Sequence, residues 1–325
     1  MTIREFAKLC NVSPATVSRY FSGAANLSPE IAKTIQEKAA AFAYTPSSRG
    51  KHSNSHFIFL FTPLWRHCFF NDMTALLQEK ASSFSFQIAV FPSKWDNYEA
   101  CSELLTRFSP AGAILFDELL DDPLARLLQK QQIPTVMCGS LSLDHLFPAV
   151  HIDDLSAAYE GTNYLIGLGH THIGVISARL QTISSGYQRV MGARKALEDA
   201  SLSLPEEHIV YCGSSFQDGY EGMNALFLRK LPLTAVFAFS DDMAAGAIVS
   251  IQEHGLSVPE DISVLAFDNS SAALECRPKL STIGQPLELI AQRSLELLTD
   301  YPSVPETITL RHSLIQRDSC APKKA

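Results

Sequence analysis

The chain has 325 residues, of which 46% are hydrophobic and 18% are charged, and its net charge is −8 with histidine neutral. No apolar stretch reaches membrane-spanning length and no basic leader with an apolar core opens the sequence, so we expect a cytoplasmic protein rather than an exported one. The seven cysteines are scattered and form no CxxC pair, which indicates free thiols in a reducing compartment rather than a disulfide framework.

The first fifty residues predict three short helices with the spacing of a helix-turn-helix. Asn11-Val12 form the turn. Ser13 and Pro14 are a typical helix start, because the hydroxyl caps the helix and the proline loses no donor at the first position. Ser28-Pro29 repeats this start. The predicted inward positions are Ile3, Phe6, Ala7 and Cys10 or Leu9, then Val12, Val17 and Phe21, then Ile31, Ile35, Ala39 and Phe42.

The second of these helices leaves small and polar side chains on its outer face, namely Ala15, Thr16, Ser18 and Arg19. In a helix-turn-helix the second helix lies in the DNA major groove. Arg19 is the one long cation on that face and can reach guanine edges or phosphates. A three-helix bundle without a nucleic-acid role has the same spacing, so spacing alone leaves both interpretations open.

The segments TIREFAKLCNVSPATVSRYFSG and LSPEIAKTIQEKAAAFAYTP resemble the DNA-binding headpiece of the lactose-repressor (LacI/GalR) family. The VSxATVSR core, the serine that starts the third helix and the closing Tyr-x-Pro carry the match. The resemblance implies that operator DNA is the partner and that a homodimer reads one half-site per subunit. The DNA-binding residues it implies are Thr2, Pro14, Ala15, Thr16, Ser18, Arg19, Ser22, Asn26 and Arg49.

Charge is distributed unevenly along the chain. Six basic and three acidic side chains give residues 1–50 a charge of +3, which leaves −11 for the remainder. A basic end on an acidic body keeps the affinity for phosphate local to the headpiece.

The linker departs from the family pattern. Residues 46–56, PSSRGKHSNSH, are polar and rich in serine, and Gly50 weakens any helix there. The family has a short hinge helix at this place, with a leucine that wedges into the minor groove and kinks the duplex. That leucine position falls near Ser53. We therefore expect a flexible basic tether and little bending of the operator.

From residue 57 onward, apolar runs typical of buried strands alternate with helical patterns. This alternation predicts parallel sheets covered on both faces. About 270 residues exceed one such core, so we expect two doubly wound α/β halves, with ligands at the carboxyl ends of strands. The predicted strands are 57–61, 86–91, 112–116, 133–138, 172–177, 234–239 and 261–267. The predicted helices are 71–83, 98–108, 121–131, 155–168, 187–200, 217–229, 241–254 and 286–299.

The order of motifs resembles the LacI/GalR effector domain, which is built like a periplasmic sugar-binding protein. Landmarks include GLGHTHIGVI (167–176), FSDDMAAGA (239–247), LSTIGQPL (280–287) and VPEDISVLAFDN (258–269), the most specific of them. The resemblance implies that the chain crosses three times between two subdomains with an effector in the cleft between them. We divide the chain into a helix-turn-helix domain (1–46), a linker with a degenerate hinge (47–56) and an effector and dimerisation domain (57–325). Subdomain 1 then comprises 57–160 and 285–302, and subdomain 2 comprises 161–284 and 303–325.

The same resemblance gives candidate effector ligands. Asp268 ends a strand where the fold presents a carboxylate, which can accept two sugar hydroxyls; a helix cap for residues 270–273 is the alternative. Ser240 is a further ligand candidate, whereas we expect Asp241 and Arg189 to brace the structure. Tyr187 stands where relatives often have an arginine, which removes a clamp for anionic effectors.

The loop after the first strand carries two more effector-binding candidates, Leu64 and Trp65, and with His67 it also differs from relatives. Trp65 can stack on a sugar ring or lie at a subdomain interface, and Trp95 is a second candidate for stacking. These features predict a small neutral sugar or glycoside as the effector.

Enzyme interpretations find little support in the sequence. Gly167-x-Gly169 precedes a strand, and the third glycine of a dinucleotide loop is replaced by His172. His170-x-His172 has metal-like spacing, but no nearby Cys or carboxylate completes a site, so we expect no metal and no cofactor. The alternatives left open are a transport-type sugar-binding protein, which would need export, and a sugar sensor that does not bind DNA.

Overall fold

The computed structural model describes residues 3–21, 28–42, 44, 56–62, 67–116, 122–142, 145–178 and 184–324. The described helices are α1 Ile3–Cys10, α2 Pro14–Phe21, α3 Pro29–Ala41, α4 Cys68–Ala81, α5 Tyr98–Phe108, α6 Pro123–Lys130, α7 Asp154–Gly167, α8 Ser185–Asp199, α9 Phe216–Leu228, α10 Asp241–Glu253, α11 Ser271–Glu275 and α12 Leu287–Thr299. The described strands are β1 Phe57–Thr62, β2 Gln87–Pro92, β3 Gly112–Leu115, β4 Thr135–Cys138, β5 Ala149–Ile152, β6 Ile173–Ala178, β7 Ile209–Cys212, β8 Ala235–Ala238, β9 Ser263–Asp268, β10 Ser281–Gly284, β11 Thr307–Leu310 and β12 Ser313–Ile315. A helical headpiece and two α/β units confirm the predicted fold class.

The three headpiece helices enclose a small core of their own, made of Phe6, Ala7, Cys10, Val17, Ile35 and Tyr44. The Ser13 hydroxyl accepts from the Thr16 N–H (3.1 Å), which confirms the predicted cap of α2. Phe6 stacks on Tyr44 with ring centroids 3.8 Å apart.

One apolar position of the headpiece was predicted wrongly, and a choice between two others is resolved. Phe42 is 55% exposed, because it follows the end of α3 and Tyr44 takes the place against Phe6. Leu9 is also exposed, and of the two alternatives Cys10 lies in the core. Phe21 is partly exposed but keeps ring contacts with Phe6 and Tyr44.

The first sheet has the strand order β11-β5-β4-β3-β1-β2, with every described pair parallel. Alternate residues of β1 enter two different cores: Ile58 and Leu60 pack with α4 and α12, whereas Phe59 and Phe61 pack with α5 and α6. Side chains of a strand alternate between its faces, so this sheet is covered on both sides. That burial explains why the strand is a continuous apolar run.

The second sheet has the order β12-β10-β9-β8-β6-β7 and is parallel except for β12, which runs antiparallel to β10. Its helices pack in close pairs, α7 with α8 and α9 with α10. An added Cβ at Gly192 would lie 2.2 Å from the Leu155 carbonyl oxygen, so the backbones of α7 and α8 are in contact there. The chain crosses from one sheet to the other after β5, after β10 and between β11 and β12.

Two segments lie on the other side of the predicted subdomain limits. Strand β11 pairs with β5 in the first sheet, although residues 303–325 were all assigned to the second subdomain. Helix α7 begins at Asp154 and packs on α8 of the second unit, although residues up to 160 were assigned to the first. In both cases the chain crosses between the two sheets at the end of a strand, and the amino-acid composition gives no sign of that crossing.

Candidate functional site

The carboxyl edges of the two sheets face each other. The backbone N–H of Cys68, at the start of α4, donates to Asp242 Oδ2 on α10 at 3.0 Å. The backbone N–H and the hydroxyl of Ser271 both donate to the carboxylate of Asp72 on α4, at 2.6 and 3.1 Å. Helix α4 follows β1, while α10 and α11 follow β8 and β9, so these bonds join the loops at the ends of the strands. Ligands of such folds bind at these edges.

Arg189, on the second turn of α8, is the charged centre of this edge. Its Nε donates to Asp154 Oδ1 at 2.7 Å, and its Nη1 donates to the carbonyl of Phe239 at 2.6 Å. The guanidinium carbon lies 3.5 Å from the ring centroid of Phe267, and the side chain is only 11% exposed. The expectation that Arg189 braces the structure agrees with these bonds. Its Nη1 also lies 3.9 Å from Asp268 Oδ1, however, so the arginine belongs to the site as well.

Asp268 lies at the end of β9 and accepts from Gln285 Nε2 at 2.8 Å. Its backbone φ is 111°, which is strained for a residue that carries a side chain. Residues with strained backbones of this kind cluster at functional sites. Burial raises the pKa of the Asp268 carboxyl well above its ordinary value, and the nearby Arg189 guanidinium opposes this rise. The residue before α11 is Ser270, so Asp268 is not the cap of that helix.

Asp241 holds the strained loop in place. It accepts from the backbone N–H and the hydroxyl of Ser270, at 2.6 and 2.9 Å, and from the Thr282 hydroxyl at 2.8 Å. Burial raises the pKa of Asp241 to about 7, against the effect of these three hydrogen bonds. Ser240 caps α10, because its hydroxyl oxygen accepts from the Met243 N–H, and the same hydroxyl donates to the Ser214 carbonyl. The hydroxyl is therefore already used as both acceptor and donor within the fold, which gives no support to a ligand role.

His67 is buried between the two halves, with Nδ1 3.4 Å from Asp242 Oδ2 but without hydrogen-bond geometry. Burial lowers the pKa of His67 below its ordinary value of 6.5, Asp242 raises it, and Arg189 lowers it again. Folding therefore favours the neutral form of this imidazole.

We expect the wild-type chain to lose the stability contributed by neutral His67 as the pH falls through 6.5. The unfolded chain then binds a proton that the folded chain resists, so the free energy of unfolding falls with pH. His67→Gln should remove this part of the pH dependence, measured as the difference between urea midpoints at pH 7.5 and pH 5.5. The exposed His172→Gln is the control and should behave as wild type. An unchanged pH dependence in His67→Gln would contradict the prediction.

Six solvent-inaccessible polar atoms at these edges make no hydrogen bond. They are Thr62 Oγ1, His67 Nδ1, Ser93 Oγ, Trp95 Nε1, Ser140 Oγ and Gln285 Oε1. Each residue ends a strand or follows one by a few positions, and among the described residues only one other such atom is found, Ser294 Oγ on α12. Buried polar groups in folded proteins are nearly always paired. Their concentration at these edges marks a place where buried hydrogen-bonding groups are left without partners in the fold.

Sequence reasoning found only part of this site. It singled out Asp268, but it gave no ligand role to His67, Gln285 or Ser140, whose common signal is a polar residue just after an apolar strand. Tyr187 lies in the first turn of α8 and is 38% exposed, outside the buried group around Arg189. Trp95 packs against Phe91, with ring centroids 6.3 Å apart.

Several predicted residues fall outside what the structure describes. Leu64 and Trp65 lie outside the described residues, as does the linker of residues 47–55. The same holds for Thr2, Ser22, Asn26 and Arg49 of the predicted DNA-binding set. Pro14 and Thr16 lie on α2, where Pro14 is exposed and Thr16 is half-buried, and Ala15, Ser18 and Arg19 belong to the same helix.

The described residues contain neither a candidate metal site nor a candidate membrane span. No group of three or more histidine, cysteine, aspartate or glutamate side chains there could hold a metal ion. His170 bonds Thr234 Oγ1 and the Ala321 carbonyl, each at 3.0 Å. None of the described helices is long and apolar enough to cross a membrane.

Comparisons with known proteins match both parts of the chain. A helix-turn-helix model matches residues 1–38, and a periplasmic binding protein-like domain matches residues 162–320. The chain is 30% identical to the probable HTH-type transcriptional repressor ExuR of Bacillus subtilis (strain 168), over 98% of each chain. It is 28% identical to catabolite control protein A of Priestia megaterium, over 93% of this chain and 92% of that one.

A solved structure, the complex of the transcriptional regulator CelR with cellobiose, superposes with a TM-score of 0.75 at 25% identity. The match covers 98% of this chain and 99% of that one, so it includes both the headpiece and the two α/β units.

Proposed function

The chain belongs to the LacI/GalR family of DNA-binding transcriptional regulators, and we propose that it represses carbohydrate-utilisation genes in response to a small neutral sugar or glycoside. The observation that carries this proposal is the set of six unpartnered polar atoms at the facing carboxyl edges. Hydroxyl, amide, indole and imidazole groups are neutral partners, and a ring with several hydroxyls both donates to and accepts from them.

Electrostatics favours a neutral ligand over an anion. Arg189 already pairs with Asp154 and lies beside Asp268, while Asp241 and Asp242 add further carboxyl groups at the same edge. Tyr187 stands where many relatives have an arginine. A phosphate or carboxylate would meet these acidic groups, whereas a hydroxyl can donate to Asp268 and accept from Arg189.

The relatives support the regulatory role. Those named above are regulators and repressors rather than enzymes, and the CelR structure contains cellobiose. We propose that this chain acts as a homodimer in the cytoplasm, with each α2 reading one half of a pseudo-palindromic operator. In this proposal, the boundaries at residues 46 and 56 separate the helix-turn-helix domain from the effector and dimerisation domain.

Operator binding by the purified full-length chain tests the proposal. Gel shifts with DNA from upstream of its own gene, with and without a panel of neutral sugars, should show specific, salt-sensitive binding that one sugar alters. If the folded protein is stabilised by a sugar but binds no DNA specifically at any salt concentration, the chain is a sugar sensor without an operator.

Arg19→Ala is expected to weaken operator binding by about tenfold to a hundredfold, the loss of one bidentate base contact of about 1–3 kcal/mol. The comparison is Lys33→Ala on α3, whose exposed side chain pairs with Glu37 at 4.0 Å. Fluorescence anisotropy at a fixed salt concentration measures both variants. Equal affinities for the two would argue against the placement of α2 in the major groove.

A further inference from the structure

Two helices that begin at the facing carboxyl edges are held by carboxylates of the opposite half. Helix α4 of the first half follows His67, and the N–H of its first residue, Cys68, donates to Asp242 on α10 at 3.0 Å. Helix α11 of the second half begins at Ser271, whose N–H and hydroxyl donate to Asp72 on α4 at 2.6 and 3.1 Å. Each half therefore supplies the acceptor for the first N–H of a helix in the other half.

These reciprocal contacts are charge-assisted hydrogen bonds. A carboxylate that accepts from a backbone N–H forms a shorter and stronger bond than a neutral acceptor does. The Asp242 side chain is buried and that of Asp72 is half-buried, so water competes little for either carboxylate. The contacts join helices that lie outside the three chain crossings, and both must break before α4 can move away from α10 and α11.

His67 lies inside this contact and is only 4% exposed. Its Nδ1 is 3.4 Å from Asp242 Oδ2, the same oxygen that accepts from the Cys68 N–H. On its other side the imidazole packs near the Phe70 ring, with ring centroids 5.0 Å apart. A proton added to His67 would therefore place a charge where water cannot solvate it, beside an oxygen that already accepts a hydrogen bond.

The charged groups around His67 do not compensate for its burial. Burial is the largest influence on the pKa of His67 and lowers it, Asp242 on α10 raises it, and Arg189 on α8 lowers it. On α4 itself, burial and then Asp242 raise the pKa of Cys68 to about 12, so this thiol stays uncharged. The other carboxyl groups at these edges bond to groups of the second half: Asp72 to Ser271, Asp154 to Arg189, Asp241 to Ser270 and Thr282, and Asp268 to Gln285.

We propose that Asp72, Asp242 and His67 form a pH-sensitive latch between the two halves, closed at neutral pH and opened when His67 takes up a proton. Separation of α4 from α10 exposes the imidazole to water, where its ordinary pKa of 6.5 applies. The open form then binds a proton that the closed form resists, so a falling pH shifts the halves toward the open form. This inference adds pH to the signals that the chain senses, whatever its effector is.

Hydrogen–deuterium exchange of the full chain, resolved to single amides, measures the latch at the N–H groups of Cys68 and Ser271. Protection factors are corrected for the intrinsic exchange rate at each pH. We expect both to fall about fivefold to tenfold between pH 7.5 and pH 5.5, because a ring with an ordinary pKa is about nine-tenths protonated at the lower pH. Amides within α9 should keep their protection.

His67→Gln should abolish this fall, and the exposed His172→Gln should retain it. Circular dichroism checks that both variants are folded. A wild-type chain whose protection at Cys68 and Ser271 is the same at both pH values would overturn the proposal. A fall that persists in folded His67→Gln would assign the effect to another group, such as Asp241, and would overturn it as well.

Asp72→Ala tests whether the two contacts open together. It removes the bonds to Ser271, and we expect the protection of the Cys68 N–H, which bonds to Asp242 instead, to fall about tenfold at pH 7.5. The reciprocal Asp242→Ala should lower the protection of the Ser271 N–H by a similar factor. If each substitution changes exchange only at the amide that it leaves without an acceptor, the contacts open independently and there is no latch.

Asp153→Ala is the matched control for these two substitutions. It also removes a carboxylate that accepts from a backbone N–H, but the donor is Ser156 at 3.0 Å, within the same half. The protection of Cys68 and Ser271 should therefore stay at the wild-type value. A loss at these amides as large as that in Asp72→Ala would show that any lost helix cap loosens the contact, which would contradict the latch.

Discussion

Arg189→Met is expected to lower the free energy of unfolding by about 3–5 kcal/mol, the cost of leaving a buried charge without its partner. The substitution removes the bond to Asp154 and the bond to the Phe239 carbonyl, and it leaves Asp154 and Asp268 buried without a cation. The stack on Phe267 is retained only in part, because methionine carries no planar charge. Urea unfolding followed by circular dichroism measures the change.

Arg194→Met, on the same helix, is the control for this substitution. Its partner Glu206 is 68% exposed, so losing the pair should cost no more than about 1 kcal/mol. Adding Asp154→Asn to Arg189→Met should restore part of the loss, because one stranded carboxylate becomes neutral. Equal losses in the two single variants would show that burial at this edge does not raise the cost of an unpaired charge.

Gly246→Ala is expected to destabilise the second α/β unit by about 3 kcal/mol, at the upper end of the usual cost of overpacking. An added Cβ at this position would lie 2.0 Å from the Phe216 carbonyl oxygen and 2.7 Å from the Tyr220 nitrogen. Both are backbone atoms of α9, so no side-chain rotation relieves the clash. Gly219 faces α10 in the reciprocal way, 2.1 Å from the Met243 carbonyl oxygen, so the two helices would have to separate.

Gly167→Ala provides the comparison within the same unit. A Cβ there meets nothing within 4 Å, and the position ends α7, so the substitution should be neutral or slightly stabilising. Thermal unfolding of both variants measures the difference. A Gly246→Ala variant as stable as Gly167→Ala would mean that the helices tolerate a wider separation.

Seven strands could be predicted from the apolar runs of the sequence, and five short strands could not. Strands β1, β2 and β9 are six residues each and largely apolar, because the sheets are covered on both faces. The strands missed were β5, β7, β10, β11 and β12, which have three or four residues and include His151, Thr282 and Thr307. Strands β3, β4 and β8 are also four residues long, and they were predicted because each lies in a longer apolar run. Strands this short are fixed by pairing with distant partners, and local pattern carries little of that information.

One residue of the candidate site could be predicted from a local motif. The contacts of the others could not, because they join residues that are far apart in the sequence. Asp268 ends a long apolar run inside a specific motif, so its place at a strand end was visible. The pairing of Cys68 with Asp242 joins positions 174 apart, and that of Asp72 with Ser271 joins positions 199 apart. Arg189 could be assigned to a helix, but its approach to Asp268 depends on how α8 packs across the ends of β8 and β9.

The last crossing between the two sheets limits how the halves can move. Only Arg311 and His312 separate β11 of the first sheet from β12 of the second, and His312 Nε2 lies 2.9 Å from Glu160 Oε2 on α7. Two residues extend at most about 7 Å, so the halves cannot draw apart at this point. At this crossing the halves can therefore rotate relative to each other but cannot separate. The headpiece precedes β1 in the sequence, so under the proposed function a rotation of the first half is the motion that would reach the DNA-binding helices.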